Sequence, residues 1–597
     1  MHVYIYARKQ DGMWRWAVSL DVKVDIAFWQ ERDPQISFVF VEQALPVPVA
    51  MEMVQRGNQR AEPVLPGRLP LTEWKPIQRQ ANSNPIPYAK ISALPAATLI
   101  EKVASALQGR LLLPDELLAL LKDRQIDVDE RNWRTVIQAA CLTKGVKVIA
   151  GIARAPEPSK RLRCQRCGSG EDAMEWTHCG RCGQKCAYCC ACLALGKIRA
   201  CSLLMDGSAV RTGKRTEAPD NVEAPDNAVP IFPSSEELHS IRKRWSLSPL
   251  QAQATAQALA FIRQRKTNVS ERLPDSFLIW AVTGAGKTEM VFPLIEHEWQ
   301  CGGRILMATP RKDVVLELYP RLMKSFPHIR IVALYGGSPE RWRHGDLVLS
   351  TTHQLLRFRH AFDLVIVDEV DAFPYHNNPM LIRAARRACR PEGRFIFLSA
   401  TPPESMQRDI RRGKIGHVIV PARFHGHPLP VPVIRCRRFE TQRMRLLVNE
   451  LAQSVRRGAQ SFVFVPRIGQ VDPLVRKLRE RLPGVSIDGT SSRDAEREPK
   501  VLAFRDRQIR VLVTTTILER GVTVPRSDVY VYDADAALFD EAALVQMAGR
   551  AGRSADDPKG KVFFISRSKT RAQTGAVRMI RKMNRLAAVV AKGKGKS

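Results

Sequence analysis

The sequence predicts an α/β protein built as two consecutive lobes, each a mostly parallel sheet flanked by helices. A cysteine-rich metal module and a small N-terminal accessory region precede them. Three observations carry this prediction. From about residue 240, short apolar strands alternate with amphipathic helices; a phosphate-loop pattern follows the first of those strands; and residues 160–201 hold nine of the thirteen cysteines. Alternating strands and helices imply a parallel sheet covered on its faces. The expected boundaries are 1–155 for the accessory region, 160–204 for the cysteine module, 205–240 for a linker, 241–425 for the first lobe and 436–597 for the second lobe with its tail.

Each element has its own justification. Alternation in "HVYIYA" and "ISFVFVEQ" predicts strands. A proline-rich passage from Pro46 to Pro87 reads as loop. "LPAATLIEKVASALQGR" and "PDELLALLKDRQ" carry helical spacing, with Pro114 suited to a first helical position. The doubled Glu-Ala-Pro-Asp-Asn at 216–228 is too short a repeat for a solenoid and reads as flexible linker. The strands of the first lobe are "SFLIWAV", "RILMATP", "IRIVALYGG", "DLVLSTT", "FDLVIVDE" and "RFIFLSAT". Those of the second are "SFVFVP", "VSIDGT", "IRVLVTTT", "DVYVYDAD" and "GKVFFISR", after the proline-rich joint "PARFHGHPLPVPV" at 421–433.

The totals narrow the partners. Over 597 residues, 93 Lys+Arg stand against 60 Asp+Glu, a net charge of +33. Charge on this scale favours a polyanion, nucleic acid first and an acidic membrane surface second. The start shows no signal-peptide pattern, and no run of about 18 apolar residues predicts a membrane-spanning helix. A cytosolic chain is expected, so the cysteines are not read as a disulfide framework.

The chemistry-bearing residues come next. "AVTGAGKTEM" (281–290) fits Gly-x4-Gly-Lys-Thr with Ala281 in the first place, between strand and helix as phosphate binding requires. Thr283, Gly284, Ala285 and Gly286 would curl backbone N–H groups around phosphate oxygens at a helix N-terminus. Lys287 would reach the β- and γ-phosphates of ATP, and Thr288 would ligate Mg2+. Asp368, ending "FDLVIVD", would hold Mg2+ through water, with Glu369 orienting and deprotonating the attacking water and Asp371 coupling rather than ligating. "LSATPP" (398–403) suits a γ-phosphate sensor. "QMAGRAGR" places Gln546, Arg550 and Arg553 together, the arginines three apart on one expected helix face, to stabilise phosphoryl-transfer charge.

Eight cysteines from Cys164 to Cys192 fall in tandem Cys-x2-Cys knuckles, a pattern that sets tetrahedral thiolate geometry around Zn2+. Residues 567–597 read as a basic helix and tail, suited to DNA or anionic lipid or simply solubilising.

This motif set resembles superfamily 2 helicases, whose lobes are RecA-like. The stretches "WAVTGAGKTEM", "ATPRKDVVLEL", "ALYGGS", "STTHQLLR", "VDEVDAFPY", "TTTILERGVTVP" and "ALVQMAGRAGR" resemble the ComFA family of competence ATPases, over roughly 245–590. The resemblance implies an ATP-driven single-stranded DNA translocase for DNA uptake, cytoplasmic and at the inner face of the membrane. It implies the membrane uptake channel and cytosolic competence proteins as partners, and leaves open a homo-oligomer and peripheral membrane association. It makes Gln251 in "LSPLQAQ" the adenine-side glutamine, and puts DNA near Pro310, Arg311, the turn 350–354 and the loops near 466 and 515. It also assigns Cys164, Cys167, Cys189 and Cys192 to one zinc site. Cys179, Cys182, Cys186 and Cys190 then allow a second zinc, or a ribbon pairing Cys179 and Cys182 with Cys164 and Cys167. The competing readings are a PriA-like replication-restart helicase, an RNA helicase of DEAD-box type, and a nucleic-acid-binding scaffold with a vestigial nucleotide site.

Overall fold

The computed structural model describes residues 2–11, 13–40, 44–59, 94–155, 161–210, 232–264, 276–519, 524–554 and 557–593. Most of the proline-rich passage, the doubled Glu-Ala-Pro-Asp-Asn, residues 520–523 and the last four residues of the tail lie outside them.

In the first lobe seven strands form one parallel sheet. In spatial order they are Ile331–Leu334, Leu347–Thr351, Ile305–Thr309, Phe362–Asp368, Cys389–Ser399, Ser276–Ala281 and Ile415–Val420. The central strands are covered on both faces, so they read as unbroken Ile, Leu, Val and Phe rather than as alternation. Ile279, Met307, Ile366 and Leu398 are fully buried there. The second lobe repeats the plan with six parallel strands in the order Val433–Cys436, Val562–Ser566, Ser527–Tyr532, Gln460–Phe464, Val511–Thr514 and Ile487–Thr490.

The N-terminal region holds an antiparallel sheet around His2–Gln10 and the helices Ala97–Leu107, Pro114–Asp123 and Trp133–Thr143. The expected cut at 204 falls inside a paired strand, while residues 156–160, next to the cut at 155, lie outside the described residues. After the cysteine knuckles the chain returns, and Leu203–Asp206 pairs with Leu111–Leu112 and Lys147–Ala150. Leu203 and Met205 thereby join the core that contains Val103, Leu117 and Ile137. The strand run "LLMD" is too short to show this pairing in the sequence.

This unit is fastened to the first lobe. Arg110 and Phe358 form a backbone bridge, Arg359 pairs with Asp206 at 3.0 Å, and Arg110 and Arg124 donate to the Trp342 carbonyl. Glu116 lies between Arg166 of the cysteine module (2.7 Å) and Arg357 of the lobe (2.8 Å). Burial works against its charge, but the two guanidinium groups outweigh it and hold the carboxyl below its ordinary value.

The basic C-terminal segment is first a packing element. Helix Arg571–Gly593 lies on Glu541–Ala548, burying Ala576, Val577, Ile580 and Met583. Asn584 accepts from Leu429 N–H and donates to its carbonyl, tying the helix to the interlobe joint. Among the described residues no helix is long and apolar enough to cross a membrane.

Candidate nucleotide and metal sites

The phosphate loop leaves the sheet at Ala281 and enters helix Lys287–Gln300 through Gly286. Gly284 and Gly286 adopt φ of 78° and 73°, a left-handed backbone that non-glycine residues rarely take. At Gly286 a Cβ would also fall 2.3 Å from Gln251 Nε2. Gln251 is held by both ends of its amide: its oxygen accepts from Ser248 N–H at 2.7 Å, and its Nε2 donates to the Ala285 carbonyl at 2.9 Å. Its amide is thus fixed against the phosphate loop. The loop's N–H groups and the helix N-terminus form an anion-binding end, and Lys287 and Thr288 open that helix.

Asp368 closes the Phe362–Asp368 strand, buried, with Oδ1 accepting from Glu369 N–H at 2.8 Å. Glu369 itself takes φ of 55°, which turns the chain sharply off the strand. Asp371 is a hub. It accepts from Ser399 Oγ and Thr401 Oγ1, each at 2.7 Å, and from Gln546 Nε2 of the second lobe at 3.4 Å. Gln546 also reaches Thr401 Oγ1 at 3.3 Å. One carboxylate therefore joins the acidic strand end, the Ser-Ala-Thr turn and the second lobe.

Arg550 and Arg553 are not on a helix face. Helix Glu541–Ala548 stops at Gly549, and both arginines lie in the turn beyond it, where Gly552 has φ of 62°. The stop brings the second lobe onto the phosphate loop, because a Cβ at Gly549 would sit 1.9 Å from Thr283 Oγ1. The buried Arg550 donates through Nε to the Glu519 carbonyl at 2.9 Å, and Arg553 Nε to the Gly549 carbonyl at 3.1 Å. Burial pulls both guanidinium groups below their ordinary range, Arg550 well below it, while the charges of Glu369 and Glu317 act in the opposite sense.

Two further interlobe residues, Arg423 and Glu519, fall within the stretches 421–433 and 514–525 without an individual role expected from sequence. Arg423, from the joint, is buried and donates to the carbonyls of Gly549 and Gly552, while the next residue, Phe424, donates its N–H to Gly284 O at 3.2 Å. Burial pushes Arg423 down to about 9. Glu519 accepts from Arg311 at 2.9 Å, and Arg311 also donates to the Ile517 carbonyl. Arg311, expected near DNA, is thus engaged across the lobes. Of the turn 350–354, only His353 is more than slightly exposed.

The cysteines divide into two groups, each with all four sulfurs within 4.8 Å of one another. The first is Cys164, Cys167, Cys189 and Cys192, all buried, with sulfur separations of 3.7 Å (Cys164–Cys192) and 3.5 Å (Cys167–Cys189). Tetrahedral zinc with Zn–S bonds of about 2.3 Å requires sulfur separations of about 3.8 Å, so this donor set fits the ion. Arg383 and Arg387 of the first lobe approach its thiols, and Arg387 donates to the Gln165 carbonyl at 3.2 Å. The second group is Cys179, Cys182, Cys186 and Cys201. Cys190, expected among the second set, belongs to neither group: it opens the 3-10 turn Cys190–Leu195 after the strand and lies partly exposed beside Glu175. Cys201 stands in its place. The ribbon pairing of Cys179 and Cys182 with Cys164 and Cys167 does not occur, because the hairpin Met174–Cys189 separates the two knuckles.

Comparison with known proteins agrees with this architecture. Residues 248–409 match the DEAD/DEAH box helicase domain and residues 442–555 the helicase conserved C-terminal domain. The fold and the junction motifs thus define a superfamily 2 helicase, an ATP-dependent type of enzyme. Residues 99–206 match the competence protein ComFA N-terminal domain. Competence protein ComFA of Bacillus subtilis is 37% identical over 448 residues, covering 72% of this chain and 87% of its own length. That of Streptococcus pneumoniae is 37% identical over 360 residues, covering 59% and 80%. The chain belongs to the ComFA family. A structure of S. cerevisiae Dbp5 bound to RNA and ADP BeF3 aligns at 15% identity with a TM-score of 0.43, over 59% of this chain and 98% of that one.

Proposed function

We propose that this protein is an ATPase that drives single-stranded DNA through the competence uptake apparatus, acting on the cytoplasmic side of the membrane. The observation that carries the reading is the interlobe junction. Gln546, Gly549 and Arg550 of one lobe meet Asp371, Thr283 and Glu369 of the other, so occupancy of the phosphate loop is coupled to lobe closure. The proposed roles follow from that placement. The phosphate loop and Lys287 bind the triphosphate, Glu369 takes the proton of the attacking water, and Arg550 and Arg553 face the charge that develops on the γ-phosphoryl group. Mg2+ neutralises the phosphates when bound, with Thr288 and Asp368 as the residues to hold it.

The polymer is proposed from chemistry of the same edge. Three threonine hydroxyls near the C-terminal strand ends, Thr309, Thr352 and Thr514, are buried without a hydrogen-bond partner, in a chain of net charge +33. Phosphate oxygens reached on lobe opening would satisfy them, gripping the backbone without reading sequence. Channel and cytosolic competence proteins remain part of the proposal as partners.

Steady-state ATP hydrolysis with single-stranded DNA, duplex DNA or RNA tests it, with Lys287→Ala as blank. Stimulation by single-stranded DNA above the other two is expected. Equal stimulation by RNA favours the RNA-helicase reading, a preference for forked duplex the replication-restart reading, and no turnover the scaffold.

A further inference from the structure

We infer that the chain holds a second tetrathiolate zinc ion, bound by Cys179, Cys182, Cys186 and Cys201, which staples the tip of the Met174–Cys189 hairpin to the start of the returning strand. The inference is independent of the motor reading.

The two knuckles are built alike. "CQRCG" and "CGRCG" share the spacing Cys-x-Arg-Cys-Gly. In each, the glycine N–H donates to the carbonyl of the first cysteine at 2.8 Å, Gly168 to Cys164 and Gly183 to Cys179. Both glycines adopt positive φ, 82° and 69°. This tight turn aims two sulfurs at one point. In the second knuckle the N–H groups of Arg181 and Cys182 also point to the Cys179 sulfur, and that of Gln184 to the Cys182 sulfur. Such donors stabilise thiolates rather than thiols.

The remaining two ligands come from opposite ends of the module. Cys186 lies in strand Lys185–Cys189, three residues before Cys189, so strand alternation sends it to the face opposite the first site. Cys201 precedes strand Leu203–Asp206, and its sulfur lies 3.7 Å from that of Cys179, the separation expected across a zinc tetrahedron. A disulfide needs sulfurs about 2.05 Å apart and joins them in pairs, rather than gathering four around one point.

A packing observation says why an ion is needed. The buried cluster at this end of the module consists of Cys179, Cys186 and Cys201, with only Cys182 and Ala200 packed against it. Among the described residues the Ala200 methyl is the one aliphatic group there, and no aromatic ring contributes. A hairpin tip with no apolar core requires a cross-link to stay folded, and four converging sulfurs supply zinc ligation once their protons are released to solvent.

The test is zinc content per chain of the purified full-length protein, by elemental analysis, with free thiols counted after denaturation in parallel. Wild type is expected to carry two zinc ions. Cys201→Ser and Cys179→Ser should carry one, Cys164→Ser should lose the other, and Cys190→Ser should keep two. Cobalt substitution keeps the test sound if a variant folds poorly: wild-type protein should show the absorption of two tetrathiolate sites, and Cys201→Ser half of it with an unchanged band shape. One zinc in wild type, two in Cys201→Ser, one in Cys190→Ser, or a Cys179–Cys201 disulfide in the metal-containing protein would each overturn the inference.

Discussion

Replacing Asp371 with Asn probes how the two lobes exchange information. The carboxylate takes two short bonds, from Ser399 and Thr401, and a longer one from Gln546 across the junction. Asn preserves the volume and one acceptor oxygen but turns the other into a donor. Ser399 Oγ already accepts from Thr401 N–H at 3.0 Å, so an amide NH2 facing it would take its one remaining lone pair while its own proton loses the carboxylate. One bond from a hydroxyl to a charged acceptor is therefore exchanged for a weaker neutral one, a loss of about 1–2 kcal/mol. The bonds to Ser399, Thr401 and Gln546 tie the acidic strand end to the second lobe. Steady-state kinetics should accordingly show the DNA-stimulated kcat falling about 10-fold, with KM for ATP within about twofold of wild type. Asp371→Leu, which leaves two buried hydroxyls without their acceptor, should cost about another 2–4 kcal/mol. Wild-type kcat in Asp371→Asn would refute the coupling role. So would a raised KM at unchanged kcat, since the hub would then only help to bind nucleotide.

Three other outcomes follow from named contacts. Gly549→Ala brings a Cβ to 1.9 Å from Thr283 Oγ1 where contact needs about 3.5 Å, so the lobes must part by roughly 1.5 Å; ATP turnover should fall about 100-fold while the melting temperature stays near wild type. Glu116→Ala strips the shared partner from Arg166 and Arg357, whose side chains are 0% and 8% exposed; differential scanning calorimetry should show the N-terminal unit destabilised by about 3–5 kcal/mol. Asp25, fully buried, is pushed up to about 6, chiefly by burial. Its folded form favours the proton, so its contribution to stability is full below about pH 4 and is lost as pH rises to about 6, a change of roughly 3 kcal/mol. Hydrogen exchange in Val22–Arg32, compared with Asp25→Asn at each pH, should reveal that difference in opening free energy across the window and no further change above pH 7.

The motor was legible because its strands are short, apolar and individually complete. "FDLVIVDE" and "SFLIWAV" announce buried parallel strands, and the glycines of "TGAGKT" announce a turn that other residues avoid. The long-range joins were not legible. Leu203–Asp206 is four residues whose partners lie about sixty and ninety positions upstream, and nothing local records that pairing. The helix expected to carry Arg550 and Arg553 ends early because Gly549 must admit Thr283, a constraint written in the other lobe. Arg423 and Glu519 are single charges in loops, indistinguishable by sequence from solvated ones. Cys201 was hidden by nine residues of separation from Cys192, although two Cys-x-Arg-Cys-Gly knuckles demand four further ligands, and Cys190 leaves the strand where the 3-10 turn Cys190–Leu195 begins.

The most direct measurement is displacement of streptavidin from biotin at either end of a single-stranded oligonucleotide by the full-length protein. ATP-dependent displacement from one end only, absent in Lys287→Ala, is the predicted result, because a motor that closes on ATP and reopens after hydrolysis must move with a direction. Stimulated hydrolysis with no displacement at either end, or displacement that persists in Lys287→Ala, would contradict a DNA translocase.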